Sequence, residues 1–124
     1  MIQTFPLISG QQTSDQTTPT QYNKLDAKSL ILRLQVTAVA SGTLNSIAVY
    51  TTMPSSGADF KLYEFLALGI GAAPDQKVFI ISPEVLDAAN WSGKIAGIIP
   101  ALFKVKVVLS GGADITYTLE GELL

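Results

Sequence analysis

Hydrophobic and polar residues alternate over much of this chain, the period of a strand with one buried face. In "LILRLQVTAV", Leu30, Leu32, Leu34, Val36 and Ala38 fall on one side, and Ile31, Arg33, Gln35, Thr37 and Val39 on the other. "ASGT" at 40–43 is a turn signal. "LNSIAVYTT" then resumes the alternation, with Ile47, Val49 and Thr51 opposed to Ala48 and Tyr50, so the two runs read as a hairpin. After the loop "MPSSGAD", the run "FKLYEFLAL" sets Phe60 and Leu62 against Tyr63 and Phe65. "KVFIIS" is short, β-branched and apolar, the texture of a buried strand. Near the end, Phe103, Val105, Val107 and Leu109 alternate with Lys104, Lys106 and Val108. Ile115, Tyr117 and Leu119 then alternate with Thr116, Thr118 and Glu120. Gly111 and Gly112 between them tolerate positive φ, so this stretch reads as a second hairpin.

The interruptions matter as much as the strands. Ser82 as a cap, Pro83 at a first helical position, Glu84, and then Val85, Leu86, Ala88 and Ala89 predict one short loop helix near 83–90. "SGKIAGIIP" at 92–100 reads either as a short strand or as a loop ending at Pro100. At the N-terminus Ile2, Phe5, Leu7 and Ile8 are apolar and Pro6 breaks the run, which suits an edge strand or an arm. Of the sixteen residues at 9–24, fifteen are polar, Gly or Pro, and Tyr22 is the exception. A polar segment of that length inside a domain is uncommon and is usually functional. The division expected is therefore an N-terminal arm at 1–24 and a sandwich domain at 25–124. Six to eight short strands between turn signals predict an all-β fold, an antiparallel β-sandwich of jelly-roll-like type.

Composition narrows the function mainly by exclusion. The 124 residues suit one domain with its own core. Cysteine and histidine are both absent, which removes disulfides, thiol nucleophiles and the commonest general base and metal ligand. Net charge is −2 and the cations are scattered, the wrong distribution for a nucleic-acid partner. Lys104 and Lys106 share one strand face and read as a solvated face. No apolar run reaches the length of about 18 residues that spans a bilayer. "MIQTFPLIS" lacks the basic, apolar and small-residue parts of a signal peptide.

Candidate chemistry is thin. Glu120 and Glu122 lie on one strand face, and paired carboxylates can cleave glycosides, but solubility explains the pair as well. "GIGAAPD" at 69–75 lacks the Lys-Ser/Thr ending of a phosphate-binding loop and reads as a turn. Asn90-Trp91-Ser92 matches a glycosylation sequon by chance. Asp59, Asp75 and Asp87 would need the fold to gather them for calcium. Trp91 either plugs one end of the core or, with a Tyr, stacks on sugar as in a carbohydrate-binding module. No enzyme activity and no cofactor are expected. The residues expected to meet a partner are Ile2, Phe5, Leu7, Gln11, Gln12, Thr17, Thr18 and Tyr22. Apolar anchors there would be followed by uncharged hydrogen-bonding groups that order on binding.

The runs "SLILRLQVTAVASGTLNSIAVYTT", "DFKLYEFLAL" and "IIPALFKVKVVLSGGADITYTLEGEL" together resemble a group of small tailed-bacteriophage virion proteins. The matching positions are Val36 to Thr43, Pro54 to Gly57, Pro100 to Val107 and Gly111 to Leu119, within residues 29 to 121. The middle departs from the group, because "GADFKLYEF" replaces a "DG-x-x-W" feature and the tryptophan comes later, at 91. The resemblance implies a β-sandwich that binds the major capsid protein as cement or decoration, commonly as a homotrimer. It further implies a place on the capsid surface of the virion after synthesis in the host cytoplasm; composition already argues against nucleic acid or a membrane as partner. A tail, baseplate or connector position is the alternative within the same particle.

Overall fold

The computed structural model describes residues 3–24, 26–84 and 90–124. Ten strands are present among them: β1 (Gln3–Gln12), β2 (Gln16–Thr17), β3 (Gln21–Tyr22), β4 (Leu30–Ser41), β5 (Leu44–Thr52), β6 (Asp59–Phe65), β7 (Asp75–Ser82), β8 (Gly93–Ala96), β9 (Leu102–Leu109) and β10 (Asp114–Leu123). One sheet has the order β1-β10-β4-β7-β8. The other runs β2-β9-β5-β6, with β3 also on β9. The alternating residues turn their apolar sides into the space between the sheets. Leu30, Leu32, Leu34, Val36, Phe79, Ile115, Tyr117 and Leu119 meet Ile47, Val49, Phe103, Val105 and Val107 in one buried core.

Strand pairing is nested. β1 pairs β10, β2 and β3 pair β9, β4 pairs β7 and β5 pairs β6, so the two halves of the chain wrap around each other. That is the pairing of a jelly roll, with β8 added at one border. The addition is parallel, Phe79 to Ser82 against Gly93 to Ala96, so the sandwich is antiparallel everywhere but there.

Both expected hairpins are corrected by this topology. β4 and β5 lie in different sheets, as do β9 and β10. Alternation tells which side of a strand faces the core, but the two sheets share one core and so show the same alternation. The turns at 41–44 and 109–114 are arches from sheet to sheet. They are bonded to each other instead of closing ladders. Ser110 N donates to the Thr43 carbonyl at 2.9 Å, and Thr43 N donates to Ser110 Oγ at 2.9 Å. Ser41 Oγ donates to the Gly112 carbonyl at 2.8 Å. Gly42 is required where the arches touch. Its φ is +74°, and a Cβ there would stand 2.6 Å from Ala113 Cα.

The alternation also slips once within β4. Thr116 faces Ala38 while Tyr117 faces Val36, a bulge that turns Ala38 out to solvent and brings Val39 against the core. The loop helix expected at 83–90 falls mostly on 85–89, outside the described residues, and no helix is present among the described ones. Pro83 and Glu84 form a bend after β7.

The N-terminal segment is part of the sandwich. β1 runs the length of β10, from Gln3 opposite Leu123 to Gln12 opposite Ile115, with an irregularity between Pro6 and Ile8. Pro6 is tolerated because β1 is an edge. β2 and β3 then edge the second sheet, so the boundary expected at residue 24 separates no folded unit from another.

Candidate interaction surfaces

The residues expected to contact a partner divide into those used by the fold and those left on its surface. Ile2 lies outside the described residues. Phe5 and Leu7 are half-buried and pack on the core. The Phe5 ring lies 6.1 Å from the Phe103 ring. Gly121 leaves room for it, since a Cβ there would be 2.6 Å from the Phe5 ring edge. Thr18 is buried and completes the edge of β9. Its N donates to the Val105 carbonyl at 2.9 Å, and its Oγ1 accepts from Val105 N at 3.0 Å. Gln11 donates to Asp114 Oδ1 at 2.8 Å and Gln12 reaches the Ser9 carbonyl at 3.5 Å. Thr17 and Tyr22 are exposed, Tyr22 by 54%.

The opposite border was not singled out in the sequence, and most of the exposed apolar surface lies along it. Phe60, Leu62 and Leu66 on and just after β6, Met53 in the β5–β6 turn and Ile98 after β8 are all exposed by 43% or more. Together with Tyr22 and Leu124 they are the exposed large hydrophobics of the described residues. The two sheets close on each other along this border. Tyr63 donates its hydroxyl to the Ile98 carbonyl at 2.7 Å, and the Phe65 and Phe79 rings stand 4.8 Å apart. Inward residues of β6 make the seam, and the others face water. A bulge where Val49 faces Tyr63 and Tyr50 faces Lys61 leaves Leu62 without an opposite residue. The alternation along β6 sets Phe60 and Leu62 opposite the inward Tyr63 and Phe65, and both are exposed. β6 has no neighbour on its outer side in the sheet order.

A polar groove of about 500 Å³ lies on the outer face of the first sheet. Its floor is two rows of side chains across three strands. Thr118, Gln35 and Gln76 face one another in the first row, and Glu120, Arg33 and Val78 in the second. Asn90 and Ser92 also line it. Ser92 is tied to β7, its N donating to the Val78 carbonyl at 2.8 Å and its Oγ accepting from Val78 N at 3.0 Å. Arg33 pairs with Glu122 at 3.0 Å and Lys77 with Asp75 at 3.7 Å.

Two further ion pairs lie on the second sheet. Lys104 pairs with Asp59 at 3.3 Å and Lys61 with Glu64 at 3.2 Å. Asp59 and Asp75 are thus each engaged by a lysine, Asp87 lies outside the described residues, and no metal-binding group of three or more acidic side chains forms among those described. Trp91 is half-buried beside β8, across the sandwich from Tyr22 on β3, so the two aromatics form no common strip. Tyr117 is the one ionisable group with a clear perturbation among the described residues. Burial pushes its hydroxyl well above the ordinary range, the charge of Asp15 adds to this, and the oxygen has no hydrogen-bond partner.

No protein-family model matches the sequence, and no curated protein matches it. Among solved structures, the chain is similar to one in the structure of infectious bursal disease virus Gx strain, with 13% identity and a TM-score of 0.47. The likeness covers 98% of this chain and 31% of that one, so this chain spans less than a third of the matched length.

Proposed function

We propose that this chain is a non-enzymatic structural protein of a virion, a capsid cement or decoration protein that binds the major capsid protein and stabilises the shell. The observation that carries the reading is the exposed apolar border of β6 and residue 98, five large side chains beside an unpaired strand edge. Unpaired edges with apolar side chains invite association, and natural domains normally block or cover them. Symmetric assembly covers such a border in every copy at once. The sequence pattern shared with small tailed-phage virion proteins gives the particle context, and a homotrimer is the assembly it implies.

In this proposal the β6 border joins copies to each other. Gln11, Thr17 and Tyr22 on the opposite border then face the capsid protein. Many weak contacts on a lattice add up to firm attachment without one strong site. The test has two parts. Analytical ultracentrifugation of the intact chain reads self-association, and Leu62→Lys with Ile98→Glu dissolves it if the border is the joint. Quantitative labelling of particles then reads copy number. Hundreds per particle support cement, a dozen or fewer assign the chain to a tail, baseplate or connector, and none overturns the virion role.

A further inference from the structure

The groove on the outer face of the first sheet has no place in the assembly proposed above, and we infer that it is a binding site for a neutral oligosaccharide. Its floor offers a regular array of hydrogen-bonding ends. Adjacent strands stand about 4.8 Å apart and alternate residues about 6.7 Å apart along a strand, so the two rows hold their groups at roughly the dimensions of a sugar ring. Gln35, Gln76 and Thr118 in one row and Arg33 and Glu120 in the other supply amide, hydroxyl, guanidinium and carboxylate groups together. That mixture of donors and acceptors matches a ligand made of hydroxyls, each of which donates and accepts.

These groups are also open to a ligand. Gln35, Gln76, Asn90 and Glu120 make no side-chain hydrogen bond or ion pair among the described residues. Arg33 is already oriented by Glu122, with half of its side chain still exposed. The floor strands spend their backbone groups on one another, so an extended peptide finds no ladder to join here. The two cations of the lining, Arg33 and Lys77, are already paired with Glu122 and Asp75, so the unpaired Glu120 carboxylate is the charge left to meet a ligand, and it accepts from sugar hydroxyls. A volume of about 500 Å³ is within the ordinary range for small-ligand sites.

The test uses the intact chain on a printed array of neutral oligosaccharides built from glucose, galactose and N-acetylglucosamine. A nuclear magnetic resonance titration with the best-retained sugar follows. Chemical-shift changes are expected at residues 33–35, 76–78 and 118–120. Glu120→Ala and Gln35→Ala are each expected to weaken binding about tenfold, the size of one hydrogen bond to a charged group or a little less. Both side chains are exposed, so the fold tolerates their loss. Leu62→Lys is expected to leave sugar binding unchanged, which separates this site from the assembly border. The inference is overturned if no neutral sugar is retained or if the shifts map elsewhere. It is equally overturned if acidic sugars bind better and Glu120→Ala strengthens them.

Discussion

The two borders of the sandwich face the same physical problem and show different things to water. Along β1, β2 and β3 the edges are broken by Pro6 and Pro19, the edge strands β2 and β3 of the second sheet are each only two residues long, and Phe5, Leu7 and Ile8 turn inward. What remains outside is mostly polar or Pro, with Tyr22 the exposed large side chain. Along β6 and β8 the inward residues Tyr63 and Phe65 close the seam, but Phe60, Leu62, Leu66 and Ile98 stay exposed. One border is finished by the chain itself, and the other is unfinished in a lone copy. Edge protection is therefore information about assembly: a border closed with Pro and short strands needs no second copy to cover it, and a border left apolar does.

Removing residues 1–12 is the strongest way to break that comparison. An N-terminal arm would come off and leave a folded sandwich. The structure instead makes β1 the outer neighbour of β10 along its whole length. Deletion strips Phe5, Leu7 and Ile8 from the core and is expected to cost about 5 kcal/mol, from a partial loss of burial worth 1.5 to 3 kcal/mol per large side chain. That approaches the whole stability of a domain this size. Thermal unfolding by circular dichroism reads the outcome, and a truncated chain with an unchanged melting temperature would restore the arm.

The sequence made the strands legible because their alternation is strong: Phe103, Val105, Val107, Ile115, Tyr117 and Leu119 all bury as read. The sheet assignment was not legible, since an arch through Gly42 and a hairpin through Gly42 demand the same residue types. The N-terminal strand was obscured by composition. Gln, Thr and Ser between 9 and 24 resemble a loop, yet an edge strand tolerates them because one of its sides faces only water. The groove was hidden for a related reason. Its residues come from β4, β7 and β10, and Thr118, Gln35 and Gln76 are neighbours only through cross-strand register. Glu120 was noticed in the sequence, but for its neighbour Glu122, which the structure pairs with Arg33.

A smaller disturbance of the closed border comes from Gly121→Val. The new side chain takes the space of the Phe5 ring, and the displaced ring loses its contact with Phe103. Overpacking of this kind is expected to cost about 2 kcal/mol. The cost should be non-additive with Phe5→Ala, because both changes remove the same packing. A double-mutant cycle by chemical denaturation checks it, and full additivity would show that the ring does not depend on that glycine.

Tyr117, next to the closed border on β10, carries the one unsatisfied buried hydroxyl among the described residues. Tyr117→Phe is expected to stabilise the protein by about 1 kcal/mol, since an unpartnered polar group costs about that much to bury. The pH dependence follows from the raised pKa. Below the ordinary tyrosine value of about 10 the hydroxyl is protonated in both states, and its contribution does not vary. Above that value the unfolded chain releases the proton while the folded chain keeps it, so stability falls by up to about 1.4 kcal/mol per pH unit. Tyr117→Phe should flatten this alkaline slope, and denaturation midpoints between pH 8 and pH 11 measure it.

The open border predicts the least effect on the fold and the clearest effect on association. Leu62 and Ile98 are both exposed, Ile98 by 71%, so Leu62→Lys and Ile98→Glu should change the stability of a dissociated copy by no more than about 0.5 kcal/mol. If copies meet through this border, the same changes place charges in a contact built from apolar side chains, and the sedimentation coefficient should fall to that of a single chain. Thr17→Lys on the closed border is the control, because its side chain is exposed on a two-residue strand away from the seam. Dissociation by the first pair and not by the control assigns the joint to β6. Dissociation by the control alone moves it to the border that the fold has finished, and the distinction between the two borders then fails.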